Sequence, residues 1–143
     1  MKLGEPIDLL LVEDNPGDVR LVREALEEVD RELRLHVVAD GLQALAHLRR
    51  EGVFAGVPLP RLILLDLNLP GLSGLQTLSE IKQNEQWRAI PVVVMTSSEA
   101  PHDIARAYQA QANCFVTKAD DFETCVCLLR SLLHFWTGIA RLP

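Results

Sequence analysis

Long apolar runs, basic clusters and cysteine pairs are all missing from this sequence, and each absence narrows what it can be. No apolar stretch is long enough to cross a bilayer as a helix. The first residues lack the basic-then-apolar order of a secretion signal. No Lys/Arg cluster exceeds a pair, and the formal net charge is -6 with a pI near 5.1. A nucleic-acid surface is therefore not expected. Cys114, Cys125 and Cys127 make an odd count at no metal-ligand or redox spacing. They read as reduced thiols, mostly core, in a reducing compartment. The expectation is a soluble, cytoplasmic chain with neither membrane nor nucleic acid among its partners. No internal repeat, low-complexity run or linker interrupts the sequence, and 143 residues suit one domain, residues 1–143.

What is present centres on one stretch. Leu62, Ile63, Leu64 and Leu65 run straight into Asp66, and a turn sequence with Asn68, Pro70 and Gly71 follows. Four apolar residues bounded by turn signals read as a strand buried on both faces, as in a parallel sheet. Asp66 then stands at the carboxyl end of that strand, where open α/β sheets place their sites.

The flanking segments repeat the pattern. Ile7–Val12 reads as a strand that ends in Glu13 and Asp14. Asn15 and Pro16 open a helix as N-cap and first-turn proline, with Asp18 favoured in the first turn by the helix dipole. Leu35–Ala39 is a second strand, and Asp40 with Gln43 gives a capping-box start to a helix that runs to about Glu51, closed near Gly52. Residues 53–61 read as a loop. Ser73 and Gln76 cap the next helix. Pro91–Met95 is the fourth strand and runs into Thr96. A helix over residues 100–112 follows. Cys114–Thr117 is the fifth strand and runs into Lys118. The last helix spans residues 122–136, with Gly138 after it. Strand and helix alternate five times with short connections. The fold class is α/β: a doubly wound five-stranded parallel sheet with helices on both faces.

The strand ends collect a chemistry. Glu13, Asp14, Asp66, Thr96 and Lys118 stand along one edge of such a sheet. Three neighbouring carboxylates repel one another, and a hard divalent cation such as Mg2+ relieves that repulsion. An aspartate can act as nucleophile toward phosphorus. A lysine and a metal neutralise phosphoryl oxygens, and a threonine hydroxyl can donate to one. Each residue alone has an ordinary reading as a cap, a strand-end hydroxyl or a surface ammonium. Their joint placement, on the ends of four different strands, is what argues a site.

These motifs resemble the receiver domain of two-component response regulators. The resemblance rests on Leu11-Val12-Glu13-Asp14-Asn15, on Leu64 to Gly71 continuing to Gly74, on Met95-Thr96-Ser97 and on Thr117-Lys118. It covers essentially the whole chain and implies a 2-1-3-4-5 sheet order. It implies Asp66 as phosphoacceptor, served by a sensor histidine kinase. It implies Mg2+ on Glu13, Asp14, Asp66 and the backbone carbonyl of Asn68. Thr96 is implied as switch hydroxyl, Lys118 as phosphoryl partner and Phe115 as the aromatic switch position, without the hydroxyl of the tyrosine often found there. The Asp66–Asn68 neighbourhood, with a proline-rich loop before it, also resembles single-domain regulators that serve bacteriophytochrome-type kinases. Such a chain is a switch rather than an enzyme, with self-catalysed phosphotransfer and slow autodephosphorylation, and its output is a downstream protein partner.

One departure stands out. The family usually follows its lysine with proline, often in a cis bond; here Ala119 follows Lys118. A cis bond before a non-proline residue costs about 2.5–4 kcal/mol, so a trans bond and a rearranged loop through Asp120 and Asp121 are expected. The altered loop also keeps open a phosphorylation-independent interaction module. A Mg2+-dependent aspartyl phosphatase is less well supported, because the position two residues after Asp66 is Asn68 rather than a second acid. A flavin carrier lacks a phosphate loop after the first strand. The last helix is apolar over about half its circumference, more than one-sided burial needs. The surplus is expected to form a homodimer face with the fourth helix and fifth strand. His36, His47, His102 and His134 fall on different elements at no ligand spacing.

Overall fold

The computed structural model describes residues 3–143, with side chains from Glu5 onward. Five strands, β1 (Leu3–Val12), β2 (Arg31–Val38), β3 (Leu62–Leu65), β4 (Val92–Thr96) and β5 (Cys114–Thr117), alternate with five helices. These are α1 (Pro16–Leu26), α2 (Gly41–Arg49), α3 (Gly74–Gln83), α4 (Pro101–Gln109) and α5 (Phe122–Leu133). All pairings are parallel, in the order β2-β1-β3-β4-β5.

The period of two along each strand splits the core into two layers. Leu10, Val12, Ile63, Leu65, Val92 and Val94 face α2, α3 and α4, where Leu45, Leu48, Leu78, Ile81 and Ala107 meet them. Leu9, Leu11, Leu62, Leu64, Val93 and Met95 face α1 and α5, against Val22, Leu26, Cys125, Leu129 and Leu132. Every residue of β3 and β4 is buried, which is why their sequences run apolar without alternation.

The helix starts follow their caps. Asn15 Oδ1 accepts the Asp18 N–H at 3.0 Å, and Asp40 Oδ1 accepts that of Gln43 at 2.8 Å. Ser73 and Gln76 form a complete capping box. At Asp40 the box is displaced: the Gln43 amide accepts the N–H of Ala39 instead.

The helix ends differ more from expectation. α2 closes on Arg50, a left-handed residue at φ 58, while Gly52 opens a short 3-10 turn. α4 ends at Gln109 rather than 112; the chain reverses at Gln111, φ 75, and the Ala112 N–H closes on the Ala107 carbonyl. α5 ends at Leu133, and a π turn over His134–Ile139 takes in Gly138. Of the cysteines, Cys125 is buried, Cys114 half-buried and Cys127 exposed, so the expected thiol core is only partly there.

Two of the histidines, His36 and His47, meet where sequence spacing shows nothing. Parallel register sets Asp8 of β1 beside Arg34 of β2. Arg34 clamps the buried carboxylate at 2.9 and 3.0 Å, and His36 Nε2 stands 3.0 Å from it. The Arg34 hydrogen bonds hold the Asp8 carboxyl below its usual range against the opposing effect of burial. His47 of α2 packs edge-on to His36 and against Phe54, is 2 % exposed, and has no hydrogen-bond partner among the described residues on either ring nitrogen.

Burial, with the neighbouring His36, pushes the His47 pKa below its usual value. The unfolded chain therefore takes up this proton near pH 6.5 while the folded chain resists it. Stability is expected to fall as pH drops through about 6.5, and His47→Leu to remove that part of the slope. Urea midpoints measured across this range check it. Parallel wild-type and His47→Leu curves would contradict the assignment.

Candidate functional site

The site stands on the carboxyl ends of β1, β3, β4 and β5, and the ladder itself places it. The N–H of Glu13 bonds to the Val38 carbonyl and that of Asp66 to the Val12 carbonyl. The Lys118 N–H bonds to the Thr96 carbonyl at 2.9 Å. Each side chain therefore leaves the sheet one residue past its strand, at a height fixed by the neighbouring strand.

Glu13 and Asp66 are 3 and 5 % exposed, and Asp14 is exposed. One oxygen from each of these three carboxylates lies within 4.8 Å of the others. Such an oxygen set suits a hard divalent cation, which keeps several waters in its shell. Asn68 comes next to it through the turn, its backbone N–H donating to Asp66 Oδ1 at 3.3 Å.

Lys118 lies among the acids. Its Nζ is 2.6 Å from Glu13 Oε1, 2.8 Å from Asp18 Oδ2 and 3.2 Å from Asp66 Oδ2. Burial opposes its charge, but the hydrogen bonds to Asp18 and Glu13 and the charge of Asp66 outweigh it and raise its pKa above the usual lysine value. Glu13 goes up as well: burial raises it more than the Lys118 hydrogen bond lowers it, and the Asp66 charge adds to the rise. The pocket is thus an over-filled anionic centre in which one ammonium serves three carboxylates.

Asp18 is the member that sequence reasoning missed, having been assigned only to the helix dipole. Its position in the first turn after an acidic strand end was the available signal, since that turn bends back over the sheet edge. Thr96 ends β4 fully buried, and among the described residues no hydrogen bond joins it to Asp66. Phe115 makes no hydrogen bond to the acids among the described residues. It is half-buried against the α2–α3–α4 layer, and its N–H donates to the Tyr108 hydroxyl at 3.1 Å. The peptide bond between Lys118 and Ala119 is trans, as expected.

A parallel 2-1-3-4-5 sheet with an acid cluster and a lysine at its switch point defines a phosphoacceptor signalling module rather than a ligand carrier. The family model for the response regulator receiver domain matches residues 9–130, and the chain belongs to that family. It is 40 % identical over 138 residues to the response regulator Rcp1 of a Synechocystis species, covering 96 % of this chain and 94 % of Rcp1. The Mn2+-bound structure of Rcp1 superposes with a TM-score of 0.88 over 96 % of this chain and 99 % of that one. The phosphorylated cyanobacterial phytochrome response regulator RcpA is 39 % identical, with a TM-score of 0.91 over 97 and 99 % of the two chains. The probable methanogenesis regulatory protein FilR2 of Methanothrix harundinacea is also 40 % identical, over 100 % of this chain and 92 % of its own. The protein is a response regulator homologous to Rcp1 and to the cyanobacterial phytochrome response regulator RcpA, with a receiver's phosphoacceptor role and an acidic site suited to a divalent cation. Among the described residues, no helix is long and apolar enough to cross a membrane.

Proposed function

We propose that residues 1–143 form one receiver domain in which Asp66 accepts a phosphoryl group from a phytochrome-type histidine kinase, in a Mg2+-dependent reaction. The observation that carries this reading is Asp66 itself: a buried carboxylate at the end of β3, next to two further acids and 3.2 Å from an ammonium. An Asp66 oxygen bonds to phosphorus, and the bond from phosphorus to the donor imidazole breaks. The electron pair stays on the ring nitrogen, which takes a proton. Glu13, Asp14, Asp66 and the Asn68 carbonyl would hold Mg2+, which when bound would neutralise charge on the transferring oxygens. Lys118 pairs with the phosphoryl group from the side of β5. Thr96 turns its hydroxyl toward it, and Phe115 follows as the aromatic beside the switch. The phosphorylated state is favoured by these contacts, and the shift in population is the signal.

Support for the kinase class comes from the phytochrome and bacteriophytochrome response regulators among the similar structures. Label is expected to pass from an autophosphorylated phytochrome-type histidine kinase to the wild-type chain and not to Asp66→Asn. Transfer from unrelated histidine kinases alone would contradict the phytochrome assignment. Label on Asp66→Asn would contradict the acceptor.

Output passes to a downstream protein, and a second copy of the chain fits the α4–β5–α5 face. Tyr108, Phe122 and Phe135 are exposed there. A hollow lined by Cys114, Leu128, Leu132, Phe135 and Trp136 opens beside the edge strand β5. Sedimentation at increasing concentration is expected to show a dimer. A monomer at high concentration in both phosphorylation states would rule it out.

A further inference from the structure

Lys118 has three N–H donors and gives them to three carboxylates, of which only two, Glu13 and Asp66, belong to the acid cluster suited to a metal. The third, Asp18, comes from a different element, the first turn of α1, which the Asn15 cap holds in place. Asp18 is nearer the ammonium than Asp66 is, at 2.8 against 3.2 Å. Ala119 leaves the lysine's own loop without the stiffening ring of a proline. A cavity of about 20 Å³ lies beside that loop, lined by Ala119, Leu21, Val22 and Cys125 as well as by the charged groups, so packing alone does not pin the lysine.

We propose that Asp18 is a positioning residue for Lys118: it tethers the ammonium to α1, over Asp66, in place of the rigid loop the sequence lacks. The proposal rests on the phosphoacceptor reading and adds to it a residue outside the metal cluster. When Asp66 is phosphorylated, its bond to Lys118 can be exchanged for one to a phosphoryl oxygen while Asp18 and Glu13 keep theirs. The tether thus survives the chemical step, whereas the weakest of the three contacts is the one replaced. Asp18 also brings a cost. It adds a negative charge beside an incoming dianion, so positioning and repulsion act in opposite directions on the rate.

Two readouts separate them. The first needs neither metal nor phosphate. The chain has three lysines, Lys2, Lys82 and Lys118, so an amine-reactive ester can be followed at Lys118 by peptide mass. In metal-free protein Asp18→Ala is expected to speed Lys118 labelling at least about threefold, with Asp18→Asn, which keeps an acceptor oxygen, in between. The second is a double-mutant cycle on phosphoryl uptake from a small donor with Mg2+. Asp18→Ala should slow uptake at least about threefold in the wild-type background and not slow it in a Lys118→Met background, where only the charge effect remains. Far-UV circular dichroism confirms that each variant is folded before it is scored.

Unchanged Lys118 labelling in Asp18→Ala would overturn the tether. Equal slowing in both backgrounds would overturn its role in the reaction. A wild-type chain that takes up no phosphoryl group would instead contradict the phosphoacceptor reading, and the labelling result would still decide whether Asp18 holds Lys118.

Discussion

Lys118→Met is expected to cost the metal-free protein about 3 kcal/mol of stability at neutral pH, because it leaves buried carboxylates without the one cation that pairs with them among the described residues. Glu13 and Asp66 are almost completely buried, and the ammonium is their shared partner. Two conditions should reduce the loss. Acid should reduce it, because Glu13 already takes its proton above the usual carboxylate range and does so more readily without Lys118. The sign follows from linkage. A carboxyl whose folded pKa is raised stabilises the fold while protonated, and that contribution is lost as pH rises through the folded pKa. Mg2+ should also reduce it, since a bound dication replaces the missing charge and stabilises the folded state by mass action. Urea unfolding at neutral pH and near pH 5, with and without Mg2+, measures all three effects. A loss that is the same in all conditions would mean that Lys118 acts through packing and not through charge.

Gly74→Ala should cost about 3 kcal/mol, the upper end of what over-packing normally costs. A Cβ at this position would lie 2.2 Å from the Asp66 carbonyl oxygen and 2.4 Å from Leu67 Cα. Both are backbone atoms, so no side chain can swing aside. The Gly74 N–H also bonds to the Leu67 carbonyl at 3.0 Å, which ties the start of α3 to the turn that carries Asp66. Relief can come only by moving that turn, so phosphoryl uptake should fall together with stability. Gly71→Ala is the comparison. Gly71, unlike Gly74, has a positive φ, 68°, but nothing lies within 4 Å of its Cβ, so only backbone strain of about 1–2 kcal/mol is expected. Equal losses at the two glycines, read from urea midpoints, would contradict the close-approach account.

The parts of this fold that were legible in the sequence are those set by local chemistry. Leu62–Leu65 are apolar without a break because both faces of β3 are covered, and the break at Asp66 marks the sheet's edge. Asn15-Pro16 and Ser73 with Gln76 announce helix starts because cap side chains bond within three residues. The less legible parts depend on register or on space. Asp8, Arg34 and His36 meet only because β1 and β2 pair in one particular register, and the intervening chain carries no sign of it. Asp18 meets Lys118 across a hundred residues because the first turn of α1 comes down over the sheet edge where β5 ends. Helix ends were misplaced where a residue other than glycine took the left-handed position, Arg50 after α2 and Gln111 after α4. Glu13, Asp14 and Asp66 could be listed from strand ends, but Asp18 and the over-filled charge balance could not. It depends on the three distances around one ammonium.

The most direct test of the central claim is the intact mass of the protein after incubation with Mg2+ and a small phosphoryl donor. The expected result is one added phosphoryl group on the wild-type chain, absent from Asp66→Asn and absent when the metal is chelated. No adduct on the wild-type chain, with no measurable Mg2+ binding, would contradict the phosphoacceptor account and leave a receiver fold that works by protein contact alone.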